Sequence, residues 1–327
     1  MKRFIKSYNN IVTISNLLQA WNGFLSGKKK RCDVIDFQFR LMDNIFSLKN
    51  ALITKSYKHG GYQAFKISDP KPREIHKASV SDRLLHHLIY QETHLYFDQK
   101  FIHDSYSCRF NKGTYRALNR FVKFAGQASK NNKQTVWVLK CDIRKFFASI
   151  DHQILKDILA KYIVDWDLLW LFGQVIDSFN TSGRVGVGLP LGNLTSQLLV
   201  NIYMNEFDQF VKRILKIKYY IRYADDFIFL SDDRTFLEGL KPQLSEFLNN
   251  HLKLCLHPNK VSLKTLASSI DFLGWVQFGD HRVLRTTTKN RMLKKVKKNN
   301  ERDVLMAYLG MLKHGNAYKL RQKLSIF

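Results

Sequence analysis

The sequence predicts a mixed α/β fold of the α+β type, in which helices and short antiparallel strands share a common core. The chain has 327 residues and is 45% hydrophobic, which is enough to bury a sizeable core. Apolar residues recur at helical spacing in several stretches. Other stretches, such as Tyr220–Asp233, are short apolar runs joined by a tight turn, which favours antiparallel pairing of strands.

The first third of the chain is predicted to be helical, with one hairpin. Residues 12–56 have apolar positions at helical spacing, interrupted by the basic stretch Gly27–Arg31, which we interpret as a solvated loop or a phosphate contact. From Gly60 onward, a glycine turn, an alternating strand and prolines predict a hairpin. A helix follows this hairpin, and Ser81 is a possible N-cap for it.

The remaining elements alternate between strands and helices. The apolar run Val136–Cys141 predicts a strand that ends at a carboxylate, and a helix follows it. A glycine- and proline-rich loop then leads into a long helix, and Tyr220–Asp233 reads as strand, tight turn and strand. Residues 262–279 predict another short strand pair, and the chain from His281 onward is densely basic with a helical pattern.

The charge of the chain indicates a polyanionic partner. Lys and Arg number 53 against 27 Asp and Glu, so the formal net charge is +26. A surplus of this size repels itself unless an anionic partner neutralises it. Nucleic acid is the first candidate for that partner, and an anionic membrane surface is the second.

The four cysteines and the N-terminus favour a cytoplasmic protein. The cysteines are widely separated and lack the spacing of a zinc site, so we expect reduced, mostly buried thiols. The N-terminus has no apolar segment long enough for a signal peptide, and no apolar run approaches a membrane span. We therefore expect a cytoplasmic, membrane-free protein.

The adjacent carboxylates Asp225 and Asp226 are the strongest candidates for a chemical role. Two like charges in a hairpin raise each other's pKa unless a cation neutralises them, and such oxygen ligands suit Mg²⁺ or Mn²⁺. Asp142, at the end of a neighbouring strand, would complete a site for two metal ions. The alternative interpretation is an Asp-rich hairpin tip, which leaves Asp142, the Gly/Pro loop and the basic C-terminal region unexplained.

Five motifs resemble those of reverse transcriptases in order and separation. They are YADD (223–226), DIRKFF (142–147), GLPLGNLTSQ (188–197), LCLHPNKVSL (254–263) and FLGW (272–275). The resemblance extends from about Lys71 to Trp275. It implies a right-hand polymerase with an N-terminal helical extension (1–58), fingers (59–135), a palm with an antiparallel sheet flanked by helices (136–276) and a short basic helical thumb (277–327).

The resemblance also implies roles for individual residues. Asp142, Asp225 and Asp226 resemble the catalytic metal-binding carboxylates, with the Ile143 carbonyl as a further ligand, for two Mg²⁺ ions that Mn²⁺ can replace. Lys260 resembles the catalytic lysine that protonates the pyrophosphate. The residues that resemble nucleotide-binding positions are Arg73, Arg109, Lys112, Phe147, Leu191, Gly192 and Gln197. Phe147 corresponds to the steric gate that excludes ribonucleotides. The primer grip corresponds to Phe272, Leu273, Gly274 and Trp275.

The loop around Gly192 departs from the usual reverse transcriptase pattern. Most members have Gln where this chain has Leu191 and Pro where it has Gln197. This form resembles the enzymes of diversity-generating retroelements, which copy a template-repeat RNA into cDNA with errors opposite adenines for mutagenic retrohoming. The resemblance implies template RNA, the RNA–cDNA duplex, dNTPs and a small helical pentameric accessory protein as partners. Loss of the amide at Leu191 is expected to weaken discrimination among nucleotides.

Three other interpretations remain open. A retron enzyme and a group II intron-like reverse transcriptase share the core motifs, although the Ser196–Gln197 pair weighs against the intron version. A catalytically silent RNA-binding scaffold would keep the fold without the chemistry. All three carboxylates, Phe147 and Lys260 are present, which weighs against the silent scaffold.

Overall fold

The predicted alternation of helices and antiparallel strands is present in the computed structural model, which describes residues 2–68, 71–298 and 302–324. The helices are α1 (Tyr8–Ile11), α2 (Ile14–Phe24), α3 (Cys32–Phe39), α4 (Leu41–Ile53), α5 (Val80–Asp98), α6 (Thr114–Ala128), α7 (His152–Tyr162), α8 (Trp166–Asp177), α9 (Leu194–Gln209), α10 (Arg234–Leu252), α11 (Thr286–Lys298), α12 (Arg302–Leu312) and α13 (Tyr318–Leu324). The strands are β1 (Tyr62–Ile67), β2 (Arg73–Ala78), β3 (Trp137–Asp142), β4 (Tyr220–Tyr223), β5 (Asp226–Ser231), β6 (Ser262–Thr265), β7 (Ile270–Phe272), β8 (Trp275–Gln277) and β9 (Arg282–Leu284).

The described residues divide into two units, and the first is mainly helical. It comprises residues 1–103, 143–210 and 246–255. Helix α5 packs against both α2 and α9, and strands β1 and β2 form a hairpin. Helix α9 is buried on nearly all sides, including its polar residues Asn201 and Asn205, as expected for a helix at the centre of a core. This unit places the Gly/Pro loop that precedes α9 beside strand β2.

The second unit contains the larger sheet. It comprises residues 104–142, 211–245 and 256–327. Its four strands lie in the order β4-β5-β3-β6, and every neighbouring pair is antiparallel. Strands β7, β8 and β9 form a separate antiparallel sheet. Helix α6 packs on β4 and β5 with an apolar face that includes Leu118, Phe121 and Phe124.

The C-terminal helices join the core of the second unit. Met292 and Val296 of α11, Leu312 of α12 and Leu324 of α13 are buried in the same hydrophobic cluster as Trp275. Gly315 lies against the Trp275 ring, where an added Cβ would stand 2.1 Å from a ring carbon. The basic C-terminal segment therefore packs an apolar side onto the core of the second unit.

Three local predictions differ from the structure. Helix α5 begins after Ser79, whose hydroxyl accepts the Asp82 amide, so Ser79 is the N-cap and the choice of Ser81 was wrong. Of the cysteines only Cys141 is buried, so the expectation of mostly buried thiols was wrong. Strand β9 was not predicted. A strand of three residues is too short to show an alternating pattern of apolar and polar side chains.

Among the described ranges of the chain, each helix is too short or too polar to cross a lipid bilayer.

Candidate active site

The sheet register brings the three predicted carboxylates to one end of the four-stranded sheet. Asp142 is the last residue of β3 and lies directly opposite Asp226, the first residue of β5. Strands β4 and β5 pair Tyr223 with Asp226, so Ala224 and Asp225 form a two-residue turn. Side chains opposite each other on antiparallel strands lie within contact range. The predicted strand–turn–strand hairpin is confirmed.

A turn after α10 positions Lys260 at the same end of the sheet. The backbone N–H of His257 donates to the Asp142 carbonyl at 2.7 Å, and the Lys260 N–H donates to the His257 carbonyl at 3.1 Å. These bonds connect the turn to the end of β3. The Lys260 ammonium donates to Asp142 Oδ1 at 2.8 Å, and its side chain is 46% exposed.

The carboxylates repel one another, and two lysines oppose that repulsion. Burial, followed by the charges of Asp226 and Asp142, raises the pKa of Asp225 from 3.8 to about 6. The pKa of Asp226 is raised mainly by burial, an effect that Lys140 opposes from 3.8 Å. Lys140 was not among the predicted residues, although its place in a strand that ends at Asp142 could have indicated it.

By their chemistry the three carboxylates suit a hard divalent cation, although in this structure their side chains are not arranged around one position. All three side chains offer carboxylate oxygens, the ligands that Mg²⁺ and Mn²⁺ prefer, and their mutual repulsion would be relieved by a cation. In the parts of the chain that the structure describes, no group of three His, Cys, Asp or Glu side chains is arranged to hold a metal ion. An ion bound by Asp142 would compete with the Lys260 ammonium for the same carboxylate.

A polar cleft of about 230 Å³ opens beside Asp142. Lys140, Lys260 and Lys264 line it together with Asp271. Three ammonium groups around one cleft favour an anion such as a phosphate group. Against these stand two carboxylates of the lining, Asp142 and Asp271, so the cleft has a small excess of positive charge beside the carboxylate cluster.

Replacing Asp225 is expected to stabilise the metal-free protein. Because the pKa of Asp225 is raised to about 6 in the folded state, the folded chain binds this proton more tightly than the unfolded chain. Wild-type stability should therefore fall as the pH rises from about 4 to about 6. In EDTA at about pH 7, Asp225→Asn should raise the free energy of unfolding by on the order of 1 kcal/mol, and the gain should vanish near pH 4.

Thermal unfolding followed by calorimetry across this pH range measures the effect. Asp232→Asn is the matched control, because Asp232 is an exposed carboxylate at the other end of the same hairpin. Identical pH slopes for wild type and Asp225→Asn would contradict the repulsion described here.

Two of the predicted nucleotide-binding residues, Leu191 and Gly192, lie in the Gly/Pro loop that contacts β2. The Leu191 carbonyl accepts the His76 N–H of β2 at 2.9 Å, and the Asn193 side chain donates to the His76 carbonyl at 2.9 Å. Gly192 has φ +104, and a Cβ there would stand 2.7 Å from Ile75 Cγ2. Only glycine fits this position without strain. Three contacts thus join the loop to hairpin β1–β2.

The other candidates of the first unit are placed by neighbouring backbone. Phe147 lies in a 3₁₀ turn, Phe146–Ser149, and its carbonyl accepts the Leu189 N–H of the same loop at 2.8 Å. Arg73 is exposed at the start of β2. Gln197 lies in the first turn of α9, half-buried, and Ile143 is buried directly after Asp142. Their predicted roles stay predictions.

The candidates of the second unit are partly engaged within the protein. The Arg109 guanidinium donates to the Ser105 carbonyl at 2.9 Å, and the Lys112 ammonium lies 5.1 Å from the centre of the Tyr106 ring. In the predicted primer grip, Phe272 and Trp275 are buried core residues. The turn between them, Leu273–Gly274, is half-buried with positive φ at both residues, so this turn is the part that a primer strand could reach.

Comparisons with known proteins agree with these features. A family model described as "Reverse transcriptase (RNA-dependent DNA polymerase)" matches residues 65–277. Protein YkfC of Escherichia coli (strain K12) is 24% identical over 294 residues, 77% of this chain and 74% of YkfC. The group II intron-encoded protein LtrA of Lactococcus lactis subsp. cremoris is 24% identical over 296 residues, 69% of this chain and 47% of LtrA.

A solved structure shares the fold. Apo telomerase from Candida tropicalis superposes with a TM-score of 0.53 at 13% identity, covering 75% of this chain and 54% of that one. The present chain spans about half the length of LtrA and of this telomerase chain. At this identity the likeness shows a common fold, and it agrees with the predicted right-hand polymerase architecture.

Proposed function

Since the chain belongs to the reverse transcriptase (RNA-dependent DNA polymerase) family, we propose that it copies a template-repeat RNA into cDNA as the error-prone polymerase of a diversity-generating retroelement. The observation that carries the polymerase activity is the cluster of Asp142, Asp225, Asp226 and Lys260 at one end of the four-stranded sheet. Its members come from separate segments of the chain and meet beside a cleft lined by lysines.

The carboxylates would hold two divalent ions, Mg²⁺ or Mn²⁺, together with the Ile143 carbonyl. When bound, such ions activate a primer 3′-hydroxyl and stabilise charge on the leaving pyrophosphate. The chain itself supplies the proton for that leaving group from the Lys260 ammonium, which stands 2.8 Å from Asp142 Oδ1. Lys140 and Lys264 attract the phosphates electrostatically from the same cleft.

Substrate selection would belong to Phe147, Arg73 and the Gly/Pro loop. The Phe147 ring would collide with a 2′-hydroxyl, so deoxynucleotides are favoured. Arg73 is exposed and free to contact a triphosphate or template phosphate through its guanidinium fork. Leu191 and Gln197 would leave the sugar and base less firmly held, and this looser hold supports the error-prone class. Arg109 and Lys112 would contact the template.

The charge of the chain supports the remaining partners. A net charge of +26 suits template RNA and the RNA–cDNA duplex, and the small helical pentameric accessory protein of the retroelement would bind the same basic surface. The domains would be those of a right hand: an extension (1–58), fingers (59–135), palm (136–276) and thumb (277–327). We propose the cytoplasm as the site of action of a protein encoded by a bacterium, an archaeon or a phage.

A group II intron-like reverse transcriptase is the second candidate function. The similarity to LtrA, 24% identity over 69% of this chain, favours it. The two candidates differ in the expected error pattern, because only the diversity-generating enzyme concentrates its errors opposite adenines.

One experiment tests the proposal. Purified protein, with and without the accessory protein, is given a template-repeat RNA, a DNA primer, dNTPs and Mg²⁺, and the cDNA is sequenced. We expect primer extension with substitutions concentrated opposite adenines, and Leu191→Gln should lower that adenine error rate by about tenfold. Faithful cDNA would support the intron-like candidate, and failure to extend any primer would refute the polymerase assignment.

A further inference from the structure

A buried arginine lies behind the turn that carries Asp225. Arg222 of β4 is 0% exposed and is among the largest fully buried side chains of the described residues. A guanidinium group withdrawn from water is costly unless hydrogen bonds satisfy it. An apolar residue at this position would avoid that cost. We therefore expect Arg222, two residues before the turn, to have a role that an apolar side chain would not serve.

The contacts of Arg222 connect the turn to a neighbouring segment. Its Nη1 donates to the Ala224 carbonyl at 3.2 Å, and its Nη2 donates to Ser105 Oγ at 3.0 Å. The backbones of the two segments are also hydrogen-bonded to each other. The Arg222 N–H donates to the Asp104 carbonyl and the Tyr106 N–H donates to the Arg222 carbonyl, both at 2.9 Å. Residues 104–106 thereby form a parallel bridge at the outer edge of β4.

The peptide that Arg222 holds is a strained one. Ala224 has φ 55, a conformation that costs energy for a residue other than glycine and persists only where neighbours enforce it. Asp225 follows directly, so the orientation of the Ala224 peptide sets where the Asp225 carboxylate points. Tyr223, which precedes Ala224, is also held in place, since the Thr114 hydroxyl donates to the Tyr223 hydroxyl at 3.2 Å.

We propose that Arg222, seated on Ser105, is a positioning residue that holds the Ala224 peptide and thereby aims the Asp225 carboxylate. The inference rests on the proposed function, in which Asp225 binds a metal ion. Arginine suits the task because its planar fork reaches two acceptors at once, whereas a lysine ammonium lacks that fixed geometry. Segment 104–106 acts as the support against which the catalytic hairpin is held.

The test compares Arg222→Met, Arg222→Lys and Ala224→Gly in primer extension on a defined RNA template. At saturating Mg²⁺, Arg222→Met should lower kcat by about 30-fold while leaving KM for dNTP and RNA affinity within about twofold, since the variant misplaces a metal ligand but keeps the contacts to dNTP and RNA. Arg222→Lys should recover about a third of the wild-type kcat. Because glycine accepts positive φ without strain, Arg222→Met should cost only about threefold in the Ala224→Gly background.

Arg120→Met is the matched control. Arg120 pairs with the Asp104 carboxylate in the same supporting segment, with Nε 2.7 Å from Oδ1. Its loss should lower thermal stability and leave kcat within about twofold. An equal loss of kcat for Arg222→Met with and without the Ala224→Gly substitution would overturn the proposal. If Arg222→Met does not fold, Ser105→Ala takes its place in the cycle, with a smaller expected loss of about fivefold.

A second readout separates this inference from the proposed function. Mn²⁺ binding to the protein without RNA or nucleotide, followed by electron paramagnetic resonance, should be weakened about fivefold by Arg222→Met and restored by Ala224→Gly. Failure of the wild-type protein to extend a primer would refute the proposed function. The Mn²⁺ affinities of wild type and Arg222→Met would still test the role of Arg222. Equal Mn²⁺ affinities in wild type and Arg222→Met would refute that role.

Discussion

Asp225→Asn and Asp226→Asn should each lower template-directed dNTP incorporation by about 10³-fold or more, with RNA affinity within about twofold of wild type. An amide is isosteric with the carboxylate but carries no charge for a divalent ion. RNA affinity should persist because it depends on the large positive surplus, +26 for the whole chain, and not on these acids. Single-turnover primer extension and filter binding measure the two quantities.

Asp232→Asn is the control for this prediction. It makes the same chemical change at the opposite end of β5, where the Asp232 carboxylate accepts a hydrogen bond from Gln134 at 3.0 Å. Full incorporation is expected from this variant. Unchanged incorporation by Asp225→Asn would show that the reacting groups lie elsewhere in the chain.

Phe147→Ala should lower the preference for deoxynucleotides over ribonucleotides by about 10²-fold. The ring is half-buried on a backbone held by the Leu189 N–H, so truncation removes the obstacle without moving the chain. Space then opens for a 2′-hydroxyl. The ratio of kcat/KM for a dNTP to that for the matching rNTP is the measurement.

Phe146→Leu is the matched control for the gate. Phe146 is only 3% exposed, and its ring packs edge-on against the Phe147 ring, with the ring centres 5.5 Å apart. This variant should lower stability by about 1 kcal/mol and leave the sugar preference unchanged. A Phe147→Ala enzyme that still rejects ribonucleotides would show that another side chain forms the gate.

Local patterns predicted the carboxylate end of the sheet well. The apolar run before Asp142 and the two runs around Asp225 and Asp226 each signalled a strand by composition alone. The pairing of Asp142 with Asp226 required only that these strands be neighbours. The predicted hairpin from Gly60 and the helical N-terminal region were likewise confirmed.

Features that depend on distant parts of the chain were not predictable in this way. Arg222 resembles any basic residue of a basic protein until the fold brings Ser105 beside it. The N-cap of α5 differed by two residues because both Ser79 and Ser81 carry a suitable hydroxyl, and Ser79 also donates to the Asp82 carboxylate. Whether each cysteine is exposed or buried depends on tertiary packing, which the spacing of the cysteines along the sequence does not reveal.

The attachment of the Gly/Pro loop to hairpin β1–β2 has a consequence for how the loop can move. Two hydrogen bonds to His76 and the close approach of Gly192 to Ile75 attach the loop to the hairpin, so we expect the two to move together. A backbone shift at Leu191 would therefore be transmitted through His76 to β2, the strand that begins at Arg73. If Leu191 and Arg73 both contact the incoming nucleotide, as proposed, fidelity and the rate of nucleotide capture should change together in variants of either residue.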